Sequence, residues 1–318
     1  MEFVALGRTD LKVSVAGLGC GGHSRLGQTY GNTFAQSVAV VSAGLELGIN
    51  FIDTAAAYRT EEMVGAALRG QRGRAVVSTK TLIRTRSGAG AETRLLTGKE
   101  VSKRLDDSLA RLGSDYVDVY NLHGVIDSDL DHVETEIVPM LLRLKQQGKI
   151  RCLGITERFG ADTNHLMLNR ALQTGVWDVV MVGFNLLNPS ARERVLARTM
   201  DSDIGVQNMF AVRRALSDPV ALRETLKMAS DAGQLDSNKL DHADLLSSIV
   251  HESDAGSLIE LAYRFCRHEP GIHVVLTGTG NIDHLHENVA FINREPPQEN
   301  IQSRLKDLFG NVDCISGD

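Results

Sequence analysis

The sequence predicts an α/β fold, a (β/α)8 TIM barrel. Eight short runs rich in Val, Ile and Phe alternate with segments of helical period over about 280 residues, the size and order of that barrel. Several of the runs are apolar on both faces, as expected of strands covered on both sides. A doubly wound sheet shares this local pattern, and the position of the polar residues separates the two. Of the 318 residues, 42% are hydrophobic and 23% charged, ordinary globular usage that allows a large core. No Pro/Ser-rich linker or shift in composition interrupts the chain. Residues 1–318 therefore read as a single domain with its barrel core over about 15–293.

The strands are expected at residues 15–19, 50–53, 75–80, 116–122, 150–156, 179–184, 204–209 and 272–277. Between them, Val38, Val41, Leu45 and Leu47 suggest one helix and Val101, Leu105, Leu109 and Leu112 a second. Val133, Ile137, Met140, Leu141 and Leu144 mark a third. Gly113 and Gly148 stand just past the last apolar position of their helices, where a left-handed cap is needed. Residues 217–257 are more charged and longer than a connection, which predicts extra helices towards the C-terminus.

Lys+Arg 34 against Asp+Glu 40 leaves a net charge of −6, which attracts neither nucleic acid nor an anionic membrane surface. Cys20, Cys152, Cys266 and Cys314 lie far apart without a C-x-x-C pair, which excludes a zinc ribbon and suggests reduced, mostly buried thiols. The first 14 residues carry four charges and no apolar h-region, so a cytoplasmic protein without a signal peptide is expected. His284 and His286, two apart, share no helix face, and no metal site is predicted. Ser78, Ser102 and Ser253 lack a G-x-S-x-G setting. Residues 17–22 satisfy G-x-G-x-x-G, but the next helix starts near Phe34 and Glu46 lies inside that helix rather than after a strand, so they read as a rim loop. Cys152 and Trp177 are expected in the core.

The chemistry lies in four residues at the ends of successive runs. Asp53 closes Asn-Phe-Ile-Asp, with Tyr58 five positions on; Lys80 closes Val-Val-Ser-Thr-Lys; His123 closes Tyr-Asn-Leu-His. In a barrel they converge on the rim where active sites are built. A free tyrosine, with a pKa of about 10, exchanges protons poorly at neutral pH. A neighbouring Lys80 ammonium favours the phenolate, Asp53 holds Lys80, and His123 orients a substrate oxygen. After the last run, Val-Leu-Thr-Gly-Thr-Gly-Asn (275–281) precedes a helical pattern, and exposed backbone N–H groups at a helix start suit an anion.

At these residues the sequence resembles the aldo-keto reductase family. Residues 6–14 and 17–19 are similar to that family's N-terminal β-hairpin and first barrel strand; 51–58, 78–80 and 120–123 to its Asp/Tyr, Lys and His segments. Residues 148–156, 184–189, 277–281 and 286–288 continue the resemblance. It implies a barrel that binds a nicotinamide dinucleotide, with Asp53, Tyr58, Lys80 and His123 as the catalytic tetrad for hydride transfer between a carbonyl and an alcohol. It places Thr156, Glu157, Met181, Phe184, Met209, Gly278, Thr279, Gly280, Asn281, His284, Glu287 and Asn288 around the coenzyme.

The departures are specific. Thr156-Glu157 stands for the usual Ser-Asn at the carboxamide, Met181 for a common Gln, and Phe184 for the aromatic that stacks on the nicotinamide. Asn281 and His284 occupy positions where Lys or Arg often meets the 2′-phosphate of NADP, so NADP(H) or NAD(H) is expected without strong NADP preference. Glu157, if aimed at the nicotinamide, would favour its oxidised form. The expected partner is a small carbonyl or alcohol. The alternatives are an NAD-linked aldose or sugar dehydrogenase working oxidatively, and a non-catalytic dinucleotide-sensing subunit. Specificity is assigned to rim loops 22–33, 85–98, 127–131 and 211–218.

Overall fold

Eight parallel strands close into a barrel, so the doubly wound alternative is excluded. The structure, a computed structural model, describes residues 1–85, 93–236 and 242–318. A hairpin, β1 (Phe3–Ala5) and β2 (Lys12–Ser14), comes first. The barrel strands are β3 (Ala16–Gly19), β4 (Phe51–Asp53), β5 (Val76–Leu82), β6 (Val117–Val125), β7 (Ile150–Glu157), β8 (Val179–Gly183), β9 (Gly205–Met209) and β10 (Val274–Thr277). Each pairs with its sequence neighbour and β10 returns to β3. All eight fall on the expected runs.

Alternation along the strands sets what lies inside. Phe51, Val76, Val119, Cys152, Val179 and Val274 fill the N-terminal end of the barrel together with Leu6, Leu11 and Val13. The hairpin thus plugs the bottom. Its turn is seated by a close approach in which a Cβ on Gly7 would fall 2.6 Å from Asp203 O, and one on Gly205 would fall 2.7 Å from Leu6 Cγ. The outward faces pack on the helices in a larger cluster that includes Leu18, Tyr120, Leu153, Ile155 and the fully buried Trp177.

The helices follow their apolar stripes. Phe34–Glu46 and Gly98–Leu112 both open with a capping box, Thr33/Gln36 and Thr97/Glu100, in which side chain and backbone satisfy each other's orphan groups. Gly113 closes the second at φ 61°, left-handed as expected. The helical stretch with Met140 and Leu144 is less regular: a π-turn, Val133–Ile137, joins Leu130–His132 to Val138–Gln146. The charged segment after β9 holds the extra helices Arg214–Ser217, Pro219–Asp231 and His242–Glu252. Part of rim loop 85–98 lies outside the described residues. Among those described, no helix is long and apolar enough to cross a membrane.

Candidate active site

Closure brings Asp53 and Lys80 together inside the barrel. Asp53 pairs in register with Ser78, and Lys80 is the next inward residue on β5. Lys80 Nζ donates to Asp53 Oδ2 at 2.6 Å and to Thr54 O at 3.0 Å. Ser78 Oγ donates to Asp53 Oδ1 at 3.0 Å, and Asn121 Nδ2 donates to Ser78 Oγ at 2.9 Å. Burial pushes the Asp53 carboxyl upwards, and Lys80 and Ser78 pull it back. Burial also opposes the charge of Lys80, which Asp53 and Tyr58 sustain.

Tyr58 reaches this pair from the loop after β4. Thr54 and Thr60 share a buried hydroxyl–hydroxyl bond of 2.8 Å that cinches the loop. Just beyond it, Glu61 accepts from Thr79 Oγ1 at 2.6 Å and Arg111 Nε at 2.7 Å. Thr79 and Lys80 thus anchor opposite ends of one unit, through the outer and inner faces of β5. Between them a short turn, Ala56–Tyr58, ends at Arg59 in the left-handed region (φ 60°). The Tyr58 ring lies against Gly21, where any side chain would collide with it. Lys80 Nζ sits 4.7 Å from the ring centroid. The hydroxyl lies 3.4 Å from His123 Nε2, with the two rings edge to face.

Two electrostatic consequences follow. Burial outweighs Lys80, so the Tyr58 phenol sits above its ordinary value here rather than below it. The expected lowering is present as a pull from Lys80 but does not win in the closed site. Burial, reinforced by Lys80, drives His123 down to about 3, so its imidazole is neutral at physiological pH. Its Nδ1 is buried and without a partner. Its Nε2, the nitrogen beside the Tyr58 hydroxyl, is the atom placed to meet a polar substrate.

A barrel with such a rim narrows the families to be considered. The profile of the aldo/keto reductase family matches residues 18–305. The chain belongs to the aldo/keto reductase family. L-galactose dehydrogenase of Arabidopsis thaliana is 29% identical over 297 residues, covering 92% of this chain and 88% of that protein. The NADH-specific methylglyoxal reductase of Escherichia coli is 26% identical over 315 residues, covering 92% and 94%. Among solved structures, the holo form of aldo-keto reductase AKR11C1 from Bacillus halodurans superposes with a TM-score of 0.76 at 25% identity, covering 98% and 97%. This aldo-keto reductase is thus an oxidoreductase of a family that uses nicotinamide coenzymes.

The remaining expected residues divide. Thr156 and Met181 face into the barrel mouth, with the Thr156 hydroxyl accepting from Gly124 N at 2.8 Å. Met209 is half-buried at the end of β9. Gly278 and Gly280 press against the rim loop: a Cβ on Gly278 would fall 3.0 Å from Gly19 O, and one on Gly280 would collide with Gly27. Asn32 Nδ2 ties that loop to Gly280 O at 2.9 Å. Thr279 Oγ1 accepts from Asn281 N at 3.1 Å. Asn288 Nδ2 donates to Thr277 Oγ1 at 2.9 Å, and Glu287 and His284 are exposed. Asn281 is the N-cap of helix Ile282–Ile292, its Oδ1 accepting from Asp283 N at 2.7 Å and His284 N at 3.4 Å.

Two expectations are corrected. Glu157 does not point at the site. Thr156 takes the inward face, and alternation turns Glu157 outward, where its carboxylate meets His165 Nδ1 at 2.9 Å and accepts from Gly183 N at 2.7 Å. His165 Nε2 continues to Ser190 Oγ at 3.1 Å. The Glu–His–Ser order is that of a hydrolase triad, but Ser190 donates to Asn188 Oδ1 at 2.6 Å and both partners are sealed. The arrangement is a buried strut. Phe184 does not offer a free face either: following the inward Gly183, it points outward, fully buried and stacked on Phe265 at 5.5 Å.

The aromatic at the mouth is Phe210, just past β9, half-buried and in the left-handed region (φ 68°). Arg213 covers it at 4.0 Å and Phe159 stacks at 6.2 Å. Reading from residues alone missed it, although an aromatic directly after a strand-ending Asn-Met was visible. Phe159 lies across the gap left by Gly183, where a side chain would collide with its ring.

Proposed function

We propose that this aldo-keto reductase interconverts an aldehyde, ketone or sugar with the corresponding alcohol, using Tyr58 as general acid and base. The observation that carries this reading is the buried Lys80–Asp53 pair set 4.7 Å from the centre of the Tyr58 ring, with His123 at the phenol oxygen. A bound nicotinamide dinucleotide supplies or accepts the hydride. In reduction Tyr58 gives its proton to the carbonyl oxygen; in oxidation its phenolate takes the alcohol proton. Lys80 stabilises the phenolate that forms, and Asp53 keeps Lys80 charged in a place where burial opposes it. Neutral His123 holds the substrate oxygen by a hydrogen bond without competing for the proton. A sensor subunit has no use for a buried ion pair aimed at a tyrosine, which argues against the non-catalytic alternative.

The coenzyme follows from charge. Residues 274–293 contain no Lys or Arg, and Asp283 and Glu287 stand exposed on the helix that follows the glycine loop. Carboxylates there repel a 2′-phosphate, whereas backbone N–H groups at the helix start still suit a pyrophosphate or a ribose. NAD(H) is therefore used at least as well as NADP(H). The E. coli relative's NADH specificity supports the same direction. The experiment is NADH and NADPH consumption, and NAD⁺ and NADP⁺ reduction, against a panel of 2-oxoaldehydes, ketones and aldoses. Turnover that requires Tyr58 supports the reading; turnover equal in Tyr58→Phe sinks it.

A further inference from the structure

Beneath the Asp53–Lys80 pair the barrel interior is polar where a packed barrel is normally aliphatic. Ser78 on β5, Asn121 on β6 and Gln207 on β9 all point inward and are completely buried. Ser78 has a single hydroxyl proton. Two acceptors lie within reach, Asp53 Oδ1 at 3.0 Å and Gln207 Oε1 at 3.4 Å, and the carboxylate is both nearer and charged. The Ser78 oxygen is itself fed by Asn121 Nδ2 at 2.9 Å. Gln207 Nε2 is buried without a partner, and a half-turn of that amide points its N–H at Ser78 Oγ. Asn121 can lie across the barrel only because residue 154 is glycine: a Cβ there would fall 2.7 Å from the Asn121 Cγ.

We propose that Ser78 is a positioning residue, loaded by Asn121 and Gln207, that holds Asp53 as a carboxylate so that Lys80 stays charged beside Tyr58. Asn121 from β6 and the turned Gln207 amide from β9 converge on Ser78 Oγ, Ser78 passes one hydrogen bond to Asp53 Oδ1, and Lys80 takes the other carboxylate oxygen. No member of this layer touches the cleft, so it acts through Asp53 alone. The titratable groups facing Asp53 are Lys80 on β5, Tyr58 on its loop and Cys20 just past β3, with His123 on β6 facing Lys80. None of them donates to Asp53 Oδ1, so Ser78 has no substitute. The inference rests on the proposed role of Tyr58 for its catalytic meaning, but not for its test.

The test is ¹³C NMR titration of the Asp53 carboxyl in the folded coenzyme-free protein, with Asp53→Asn for assignment, alongside the pH profile of kcat/KM. In Ser78→Ala the Asp53 titration is expected to move up by about one pH unit, the size of one hydrogen bond to a charged group. The acid limb of kcat/KM should follow it, and Asn121→Ala should move both in the same direction by less. An Asp53 titration unmoved in Ser78→Ala overturns the proposal, as does an acid limb that moves without it. A shifted titration in a protein with no Tyr58-dependent turnover upholds this inference and removes only the catalytic reading above.

Discussion

The two ends of the barrel interior are built from the same strands, two residues apart, and have opposite chemistry. At the N-terminal end Phe51, Val76, Val119 and Val274 interdigitate with the hairpin's Leu6 and Val13. Two positions further along β4, β5 and β6 stand Asp53, Ser78 and Asn121, with Lys80 and His123 above them. The first layer gains from leaving water. The second pays desolvation and recovers it through paired charges and hydrogen bonds. Strand alternation and closure hold both layers equally well, and the stability of the lower layer lets the upper one carry a buried ion pair and an imidazole driven to about 3.

Substitutions should separate the ends. The largest effect is expected from Tyr58→Phe, which removes one hydroxyl from the upper end. Turnover should fall by about 10²–10⁴-fold, with coenzyme titration and thermal unfolding near wild type. Retention of more than about a tenth of the activity would assign the acid to another group. Phe51→Ala is the mirror experiment: it should cost about 3–5 kcal/mol in denaturant unfolding while the folded fraction keeps its KM. A large change in KM with little loss of stability would show that the two ends are not separable.

The third test uses pH. His123 is held near 3 in the folded protein and returns to about 6.5 when unfolded, so the unfolded state binds more protons between those values. Its contribution to stability is therefore steady above about pH 6.5 and falls as the medium is acidified. The loss reaches about 2 kcal/mol at pH 5 by linkage. His123→Gln should flatten that part of the stability curve, and an unchanged slope would assign the acid sensitivity elsewhere.

The smallest effect is expected at the rim. Asn281→Lys should cost about 1 kcal/mol of stability, because it removes an N-cap, and should tighten NADPH about tenfold with NADH nearly unchanged. Equal tightening of both coenzymes would mean that the 2′-phosphate does not come near this helix. Wild-type protein that already binds NADPH a hundredfold better than NADH would reverse the charge argument.

Much of this was legible in the residues because it is local. The alternation of apolar runs and helical stripes, Gly113 as a cap, and Asp53 at the end and Lys80 and His123 two residues before the end of their strands are all written within windows of a few residues, where backbone periodicity decides. Once eight parallel strands are inferred, closure alone sends those strand ends to one rim.

Other features depended on which side of a strand a residue takes and on what lies opposite. Glu157 and Phe184 follow inward-facing neighbours and so turn to the helices, a parity that a shift of one residue would reverse. Asn281 reads as a candidate phosphate contact until the helix behind it claims its side chain. The polar layer of Ser78, Asn121 and Gln207 spans 129 positions of sequence between its ends. The order of the elements and the four residues at the rim are consequences of local period and can be read along the chain. Which side chains share a layer inside the barrel emerges with closure, since it is set by the register of strands distant along the chain.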